Sequence, residues 1–219
     1  MADVVVLDVD GTLVDTNYHH AVAWYRAFQR HDLTVPLWRL HRAIGMGGDR
    51  LVGAVAGEDV EHACGDEVRA AWEEEFAPML AEVRPLNGAT ELLAAIRESG
   101  RRLVLASSGK PDHLEHHLDL LDGRRYADAC TTSEDVAASK PAPNLLVAAL
   151  SKVDTDRAVM VGDSTWDCLA AGRTGLPCVG LRTGGVGAEE LRAAGAIRVY
   201  DELPHLTADL ATLPFGRPR

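Results

Sequence analysis

Two aspartates stand two residues apart, Asp8 and Asp10, at the end of the apolar run Val4-Val5-Val6-Leu7, and Gly11 and Thr12 follow them. A short run rich in β-branched residues reads as a buried strand. Side chains two apart in a strand share a face, so the two carboxylates point the same way. Carboxylates placed together repel unless a cation compensates them. Asp10-Gly11 by itself is also a common turn signal, so the pair gains chemical meaning only from what the rest of the chain supplies.

Further polar residues fall at the ends of other apolar runs. Ser107 follows the run 103–106, with Ser108 beside it. Lys140 precedes a helical stretch, and Asp163 follows the run 158–161, with Asp167 four residues on. Each has a plainer reading alone: Ser107 satisfying a turn, Lys140 as a solvated lysine, Ser164 and Asp167 as a capping box. Together, four aspartates at one edge require compensation. A hard divalent cation with oxygen ligands, plus one buried lysine, supplies it. Magnesium keeps several waters and commonly shares a phosphate with the protein. The combination reads as a phosphoryl-transfer site.

The elements that must position these residues follow from periodicity. From Asp15 to about Arg84 the patterns are helical, over 18–30, 37–44, 50–55 and an acidic 58–82. Ala21, Trp24, Tyr25 and Phe28 form an inward stripe on the first of these. Trp24 reads there as core, and Trp38, Trp72 and Trp166 as packing residues. Gly45-Met46-Gly47-Gly48 interrupts the region as a helix connection. From Pro85 helices and strands alternate: helix 92–98, strand 103–106, helix 114–121, weak strand 127–130, helix 144–152, strand 158–161, helix 166–173, strand 177–181, helix 189–194 and an edge strand 197–200. Residues 217–219 read as a frayed tail. Thr183-Gly184-Gly185-Val186-Gly187 reads as a plain βα loop, with an anion nest as the alternative. Such alternation implies a parallel sheet covered on both faces. The expected fold class is therefore α/β, a Rossmann-like parallel sheet core at 1–15 and 85–219 with an inserted α-helical cap at 16–84. Ligands in open α/β sheets bind at strand carboxyl ends, which is where the aspartates lie.

Composition narrows the function classes. The chain has 219 residues, 47% hydrophobic and 25% charged, and a formal net charge of -11. That charge argues against nucleic acid as a partner, while a metal ion would still permit an anionic substrate. No apolar run approaches the ~18 residues of a membrane span, and the N-terminus has no secretory pattern. The four cysteines, Cys64, Cys130, Cys168 and Cys178, lack metal-site spacing and read as reduced, buried small hydrophobes. A cytoplasmic protein without membrane attachment, a monomer or homodimer, is expected.

Asp8-Val9-Asp10-Gly11-Thr12, the serine after the second strand, Lys140-Pro141, and Gly162-Asp163-Ser164 with Asp167 resemble the four ordered motifs of the haloacid dehalogenase superfamily. The helical insertion resembles that superfamily's C1-type cap. The resemblance implies a Mg²⁺-dependent phosphatase of a small phosphoester, working through an aspartyl-phosphate on Asp8. By the same resemblance Asp10 is the general acid and base, and Thr12 positions it. Mg²⁺ is held by Asp8, the Asp10 backbone carbonyl and Asp163, with Asp167 on the metal or one of its waters. Ser107 and Lys140 hold phosphoryl oxygens, Ser107 being preferred over Ser108 because it directly follows the apolar run.

Two subgroups compete. Asp15-Thr16 with Tyr18-His19-His20 and Ala23-Trp24, and 136–143, look like segments of β-phosphoglucomutase. The mutase has Glu-Asp where this chain has Gly162-Asp163, however, and a basic cap residue for a second phosphate, for which Arg50 is the candidate here. The glycine-rich stretch 45–48 looks more like phosphoglycolate phosphatase caps. His20 is a candidate to bond substrate or tune Asp10, and Met46, Trp24 and the histidines suggest a small anionic or sugar-like ester. A non-catalytic binding protein of the same fold is the reading from another class, and it would be favoured by a broken acidic motif. None is broken.

Overall fold

Strand β1 (Val4–Leu7) pairs in parallel on both sides, with β2 (Arg102–Ala106) and β4 (Ala158–Gly162). Further out lie β3 (Ala129–Thr131) beside β2, then β5 (Cys178–Leu181) and β6 (Ala196–Tyr200) beyond β4, giving the order β3-β2-β1-β4-β5-β6. This is a computed structural model, and it describes residues 3–155 and 157–217. Every pairing is parallel. Strand order therefore reverses beside β1, and the crevice for a ligand opens there.

Alternation along β1 divides its side chains between two cores. Val5 and Leu7 join Leu92, Leu93, Ile96, Leu114 and Leu118 on one face. Val4 and Val6 join Leu145, Leu146, Cys168 and Ala171 on the other. All four β1 side chains are fully buried, each worth roughly 2 kcal/mol of transfer free energy. The covering helices are α5 (Ala89–Glu98), α6 (Pro111–Leu121) and α10 (Leu203–Ala208) on the first face. On the second are α7 (Asn144–Ser151), α8 (Thr165–Thr174) and α9 (Ala188–Ala193). The parallel α/β core matches expectation. Helix α10 was not foreseen, since six residues leave too few turns for a helical period to show.

Between β1 and α5 come only helices: α1 (Asn17–Arg30), α2 (Leu37–Ala43), α3 (Gly48–Ala56) and α4 (Glu58–Phe76). They share a core of their own, built on Trp24, Phe28, Leu40, Leu51, Val52 and Val68. The acidic stretch expected as one helix bends at Cys64 (φ -152°) and ends at Phe76. A 3₁₀ turn (Ala77–Glu82) follows, with Pro78 in its opening turn. Proline lacks the donor that would continue the α-helix, and its ring clashes with the preceding turn. The two connections to the sheet are stitched together: Asp15 N–H donates to Arg84 O (3.0 Å) and Leu86 N–H to Leu13 O (2.9 Å).

One expectation needs adjustment. Cys168 and Cys178 are buried, but Cys64 and Cys130 are only half-buried; all are free thiols. Gly216 is held by backbone bonds to Ala158 in both directions; of the tail 217–219 expected to fray, Pro218 and Arg219 lie outside the described residues. Among the described residues no helix is long and apolar enough to cross a membrane.

Candidate active site

The chain leaves β1 through a tight turn in which Thr12 and Leu13 N–H donate to Val9 O (3.2 and 2.8 Å). Gly11 takes φ +74°, which L side chains rarely adopt, and a Cβ there would lie 2.5 Å from Asp163. The turn thus lets Asp8 (3% exposed) and the backbone of Gly11 approach Asp163 (2% exposed) from β4. Lys140 reaches in from the loop before α7 and is 1% exposed. Its ammonium contacts Asp8 Oδ1 and donates to Asp167 Oδ1 at 2.7 Å. Asp167 also completes the capping box of α8, accepting from Ser164 Oγ (2.6 Å) and Ser164 N–H (3.1 Å). Asp167 thus serves the helix cap and also stands among the buried carboxylates.

Asp8, Asp163 and Asp167 each present a carboxylate oxygen, all within 4.8 Å of one another. Among the described residues, Lys140 is the cation that contacts these carboxylates, bonding Asp8 and Asp167. Burial, then the neighbouring carboxylates, push the Asp8 carboxyl well above its ordinary range, although Lys140 opposes them. Burial and Asp167 raise Asp163 to about 7 despite bonds from Thr12 and Asn17. Burial alone would discharge Lys140, but Asp167 and Asp8 outweigh it and hold it charged. All-oxygen donors with surplus negative charge fit a hard divalent cation, so these residues are able to hold a metal ion.

Asp10 has different company. Ser107 Oγ donates to its Oδ2 (3.0 Å) and His20 Nε2 to its Oδ1 (3.2 Å), while His117 Nδ1 lies 3.8 Å away. Burial would raise its pKa, but His117, His20 and Ser107 overcome that and hold it well below the carboxylate range. His20 is itself fixed by stacking on Phe76, with ring centroids 4.1 Å apart.

The expected residues are therefore mostly convergent, with three differences. Thr12 does not touch Asp10: its fully buried hydroxyl donates to Asp163 (2.8 Å) and Asp8 (3.3 Å), because the turn carries it toward β4. Ser107 spends its hydroxyl on Asp10, whereas Ser108 lies on the wall of the pocket that holds Asp8, Asp10 and Lys140. Arg50 is not on that wall. It is nearly half exposed on α3, 3.9 Å from Asp49, and lines a separate depression with Gly53 and Glu58. Each helical residue turns about 100° from the last, so when Asp49 faces Ser139, Arg50 faces away. The loop at 183–187 acts structurally: Gly184 O accepts from Asn17 Nδ2 (3.3 Å) and pairs with His41 Nε2 (2.9 Å).

Some site residues escaped the sequence. Asn17 Nδ2 donates to Asp163 Oδ2 (2.8 Å) from the first position of α1. His117 is fully buried, with both ring nitrogens unpartnered among the described residues. Its signal existed, since Leu114, His117, Leu118 and Leu121 keep helical spacing on the buried face of α6. Trp24 is core to the helices and also lines the Asp8 pocket, as does Trp72.

Comparison with known proteins identifies the family. The haloacid dehalogenase-like hydrolase model matches residues 2–175. Validoxylamine A 7'-phosphate phosphatase of Streptomyces hygroscopicus subsp. limoneus is 30% identical over 84% of this chain and 87% of its own length. Phosphoglycolate phosphatase of Rhodospirillum rubrum is 30% identical over 94% and 90%. A hydrolase from Pseudomonas syringae superposes with TM-score 0.89 at 30% identity, covering 96% of this chain and 99% of that one. With its motifs, sheet order and carboxylate cluster in agreement, the chain belongs to the haloacid dehalogenase-like hydrolases.

Proposed function

We propose that this hydrolase is a phosphatase that cleaves a small phosphorylated metabolite through an aspartyl-phosphate on Asp8. The observation that carries the reading is a division between two neighbouring carboxylates. Asp8 is buried against the charged Lys140, and Asp10 accepts hydrogen bonds from His20 and Ser107, with His117 3.8 Å away. One is built as a nucleophile and the other to handle protons. Two relatives are named as phosphatases.

Asp8 Oδ attacks phosphorus and the bond to the leaving oxygen breaks, that oxygen taking a proton from Asp10. Water then attacks the acyl phosphate while Asp10 takes its proton, releasing phosphate and restoring Asp8. Asp10 alone is a carboxylate; the negative charge of an arriving phosphoester raises its pKa and loads it with the proton it must donate. Lys140 holds Asp8 and, with Ser108, faces the phosphoryl oxygens. Mg²⁺ is the cation this reading assigns to Asp8, Asp163, Asp167 and the Asp10 carbonyl, where it would offset phosphoryl charge. The helices of 16–84 act as a cap: Trp24, Met46 and Trp72 close the pocket and exclude water.

The mutase alternative is disfavoured at Gly162. A Cβ there would lie 2.3 Å from Asp167 Cγ, so the glutamate of mutases would displace Asp167. Phosphate release from a panel of phosphometabolites tests the reading. Release should require Mg²⁺, stop with EDTA and recover poorly with Ca²⁺, whose coordination is looser. Conversion of β-glucose 1-phosphate to glucose 6-phosphate without phosphate release would establish the mutase instead.

A further inference from the structure

The pocket that holds Asp8, Asp10 and Lys140 has a volume of about 60 Å³. Sites that enclose a whole organic ligand run to about 300 Å³ or more, so this one takes the phosphoryl group and little else. Gly47, Gly48, Trp72, Ser108 and Gly109 line it and also line a second chamber of about 500 Å³. These shared residues form a neck. The chamber is therefore the space adjoining the phosphoryl pocket, on the far side of these residues, into which the leaving group of an ester seated on Asp8 would extend.

The chamber's charges are arranged against anions. Its acids are Asp49, Asp66 and Glu73, and its bases Arg69 and Lys110. Arg69 is committed to Glu61 (2.7 Å), Asp66 (2.8 Å) and Gly48 O (3.2 Å). Lys110 is 2.5 Å from Glu73, a pair on the chamber wall that joins α4 to the loop before α6. Among the described residues lining the chamber, both cations are thus paired with carboxylates, and Arg50 lies outside it. A second phosphate or a carboxylate would meet surplus negative charge, which like-charge repulsion penalises. Polar atoms at the neck favour a different occupant. Ser108 Oγ and Trp72 Nε1 are buried without a partner among the described residues, and such groups cost stability until they are bonded. Ser133 and Ser139 add hydroxyls to the chamber wall.

We propose that this chamber selects a hydroxyl-rich leaving group, uncharged or positively charged, of sugar or amino-sugar size, and rejects leaving groups that carry a carboxylate or a second phosphate. The inference rests on the phosphatase reading and narrows its substrate class. It assigns specificity to Trp72 and the Glu73–Lys110 pair, with Ser108 kept for the phosphoryl group.

The test uses the full-length protein with Mg²⁺ and four esters: p-nitrophenyl phosphate, glucose 6-phosphate, glucosamine 6-phosphate and 2-phosphoglycolate. The sugar phosphates should exceed phosphoglycolate in kcat/KM by about tenfold or more. Glu73→Gln releases Lys110, so the ratio of phosphoglycolate to glucose 6-phosphate turnover should rise up to about fivefold, as fits an exposed ion pair. Turnover of p-nitrophenyl phosphate with no preference for the sugar phosphates, or a ratio unmoved by Glu73→Gln, overturns the chamber assignment and leaves the phosphatase reading standing. Absence of Mg²⁺-dependent release from every ester overturns both.

Discussion

Lys140 is the residue on which the buried charges balance. It contacts Asp8 and Asp167 from a position 1% exposed, and removing one member of a buried ion pair leaves the others uncompensated. Lys140→Met should cost about 3 kcal/mol in urea unfolding of the metal-free protein and reduce turnover by about a hundredfold or more. An unchanged unfolding midpoint would show that the carboxylates are neutralised in another way. Asp163 gives a pH dependence with a definite sign. Its pKa rises from 3.8 to about 7 on folding, chiefly through burial. Between those values the folded, metal-free chain holds more protons than the unfolded chain, so this group's contribution to stability falls as pH rises toward 7 and is level above it. A cation binds the ionised form. The increase in Tm on adding Mg²⁺ should therefore be small near pH 5.5 and larger near pH 7.5; an increment independent of pH would remove Asp163 from the metal site.

The loop–helix junctions set the geometry at the next scale. β4 ends in Gly162, and α8 opens on Ser164 and returns Asp167 to within 2.3 Å of where a Gly162 side chain would begin. Gly162→Ala should shift Asp167 and with it Lys140, lowering kcat about tenfold while the far-UV circular dichroism is retained; wild-type kcat would mean that Asp167 has freedom the packing does not suggest. Why these junctions were legible is a matter of chain-local rules. Asp8, Asp10, Asp163 and Lys140 each follow or precede a strong apolar run, and parallel-sheet topology brings strand ends together whatever the details. Arg50, Asn17 and His117 were misplaced or missed because the rotation of a helix about its axis decides where each points, and that rotation is set by packing between distant segments. Trp72 read as a packing residue for the same reason: it is one, and its other edge forms the neck.

At the scale of the whole molecule, the helices between β1 and α5 meet the sheet unit through the bonds of Asn17, His20 and His41, ring packing of Trp72 and Phe76 on His113 and further polar contacts. Ser139 bonds Asp49 and accepts from Gly47 N–H (3.0 Å), Lys110 meets Glu73, and Trp166 Nε1 donates to Arg42 O (3.3 Å). Joined by two paired connections and with a core of its own, this unit is expected to move against the sheet as one body. Asp49→Ala should speed amide hydrogen exchange over 44–48 and raise KM several-fold while kcat changes little; exchange confined to single residues would argue against rigid-body opening. The chain carries a formal net charge of -11, and the cation proposed for the Asp8, Asp163 and Asp167 cluster would lower the repulsion that an anionic ester meets on approach. Asp8 as nucleophile is the central assignment of the proposed reaction. The most direct measurement is Mg²⁺-dependent phosphate release by Asp8→Asn beside the wild-type protein, with circular dichroism and Tm recorded on both. Loss of at least about a thousandfold with the fold retained is the predicted result, and turnover near the wild-type rate would contradict it.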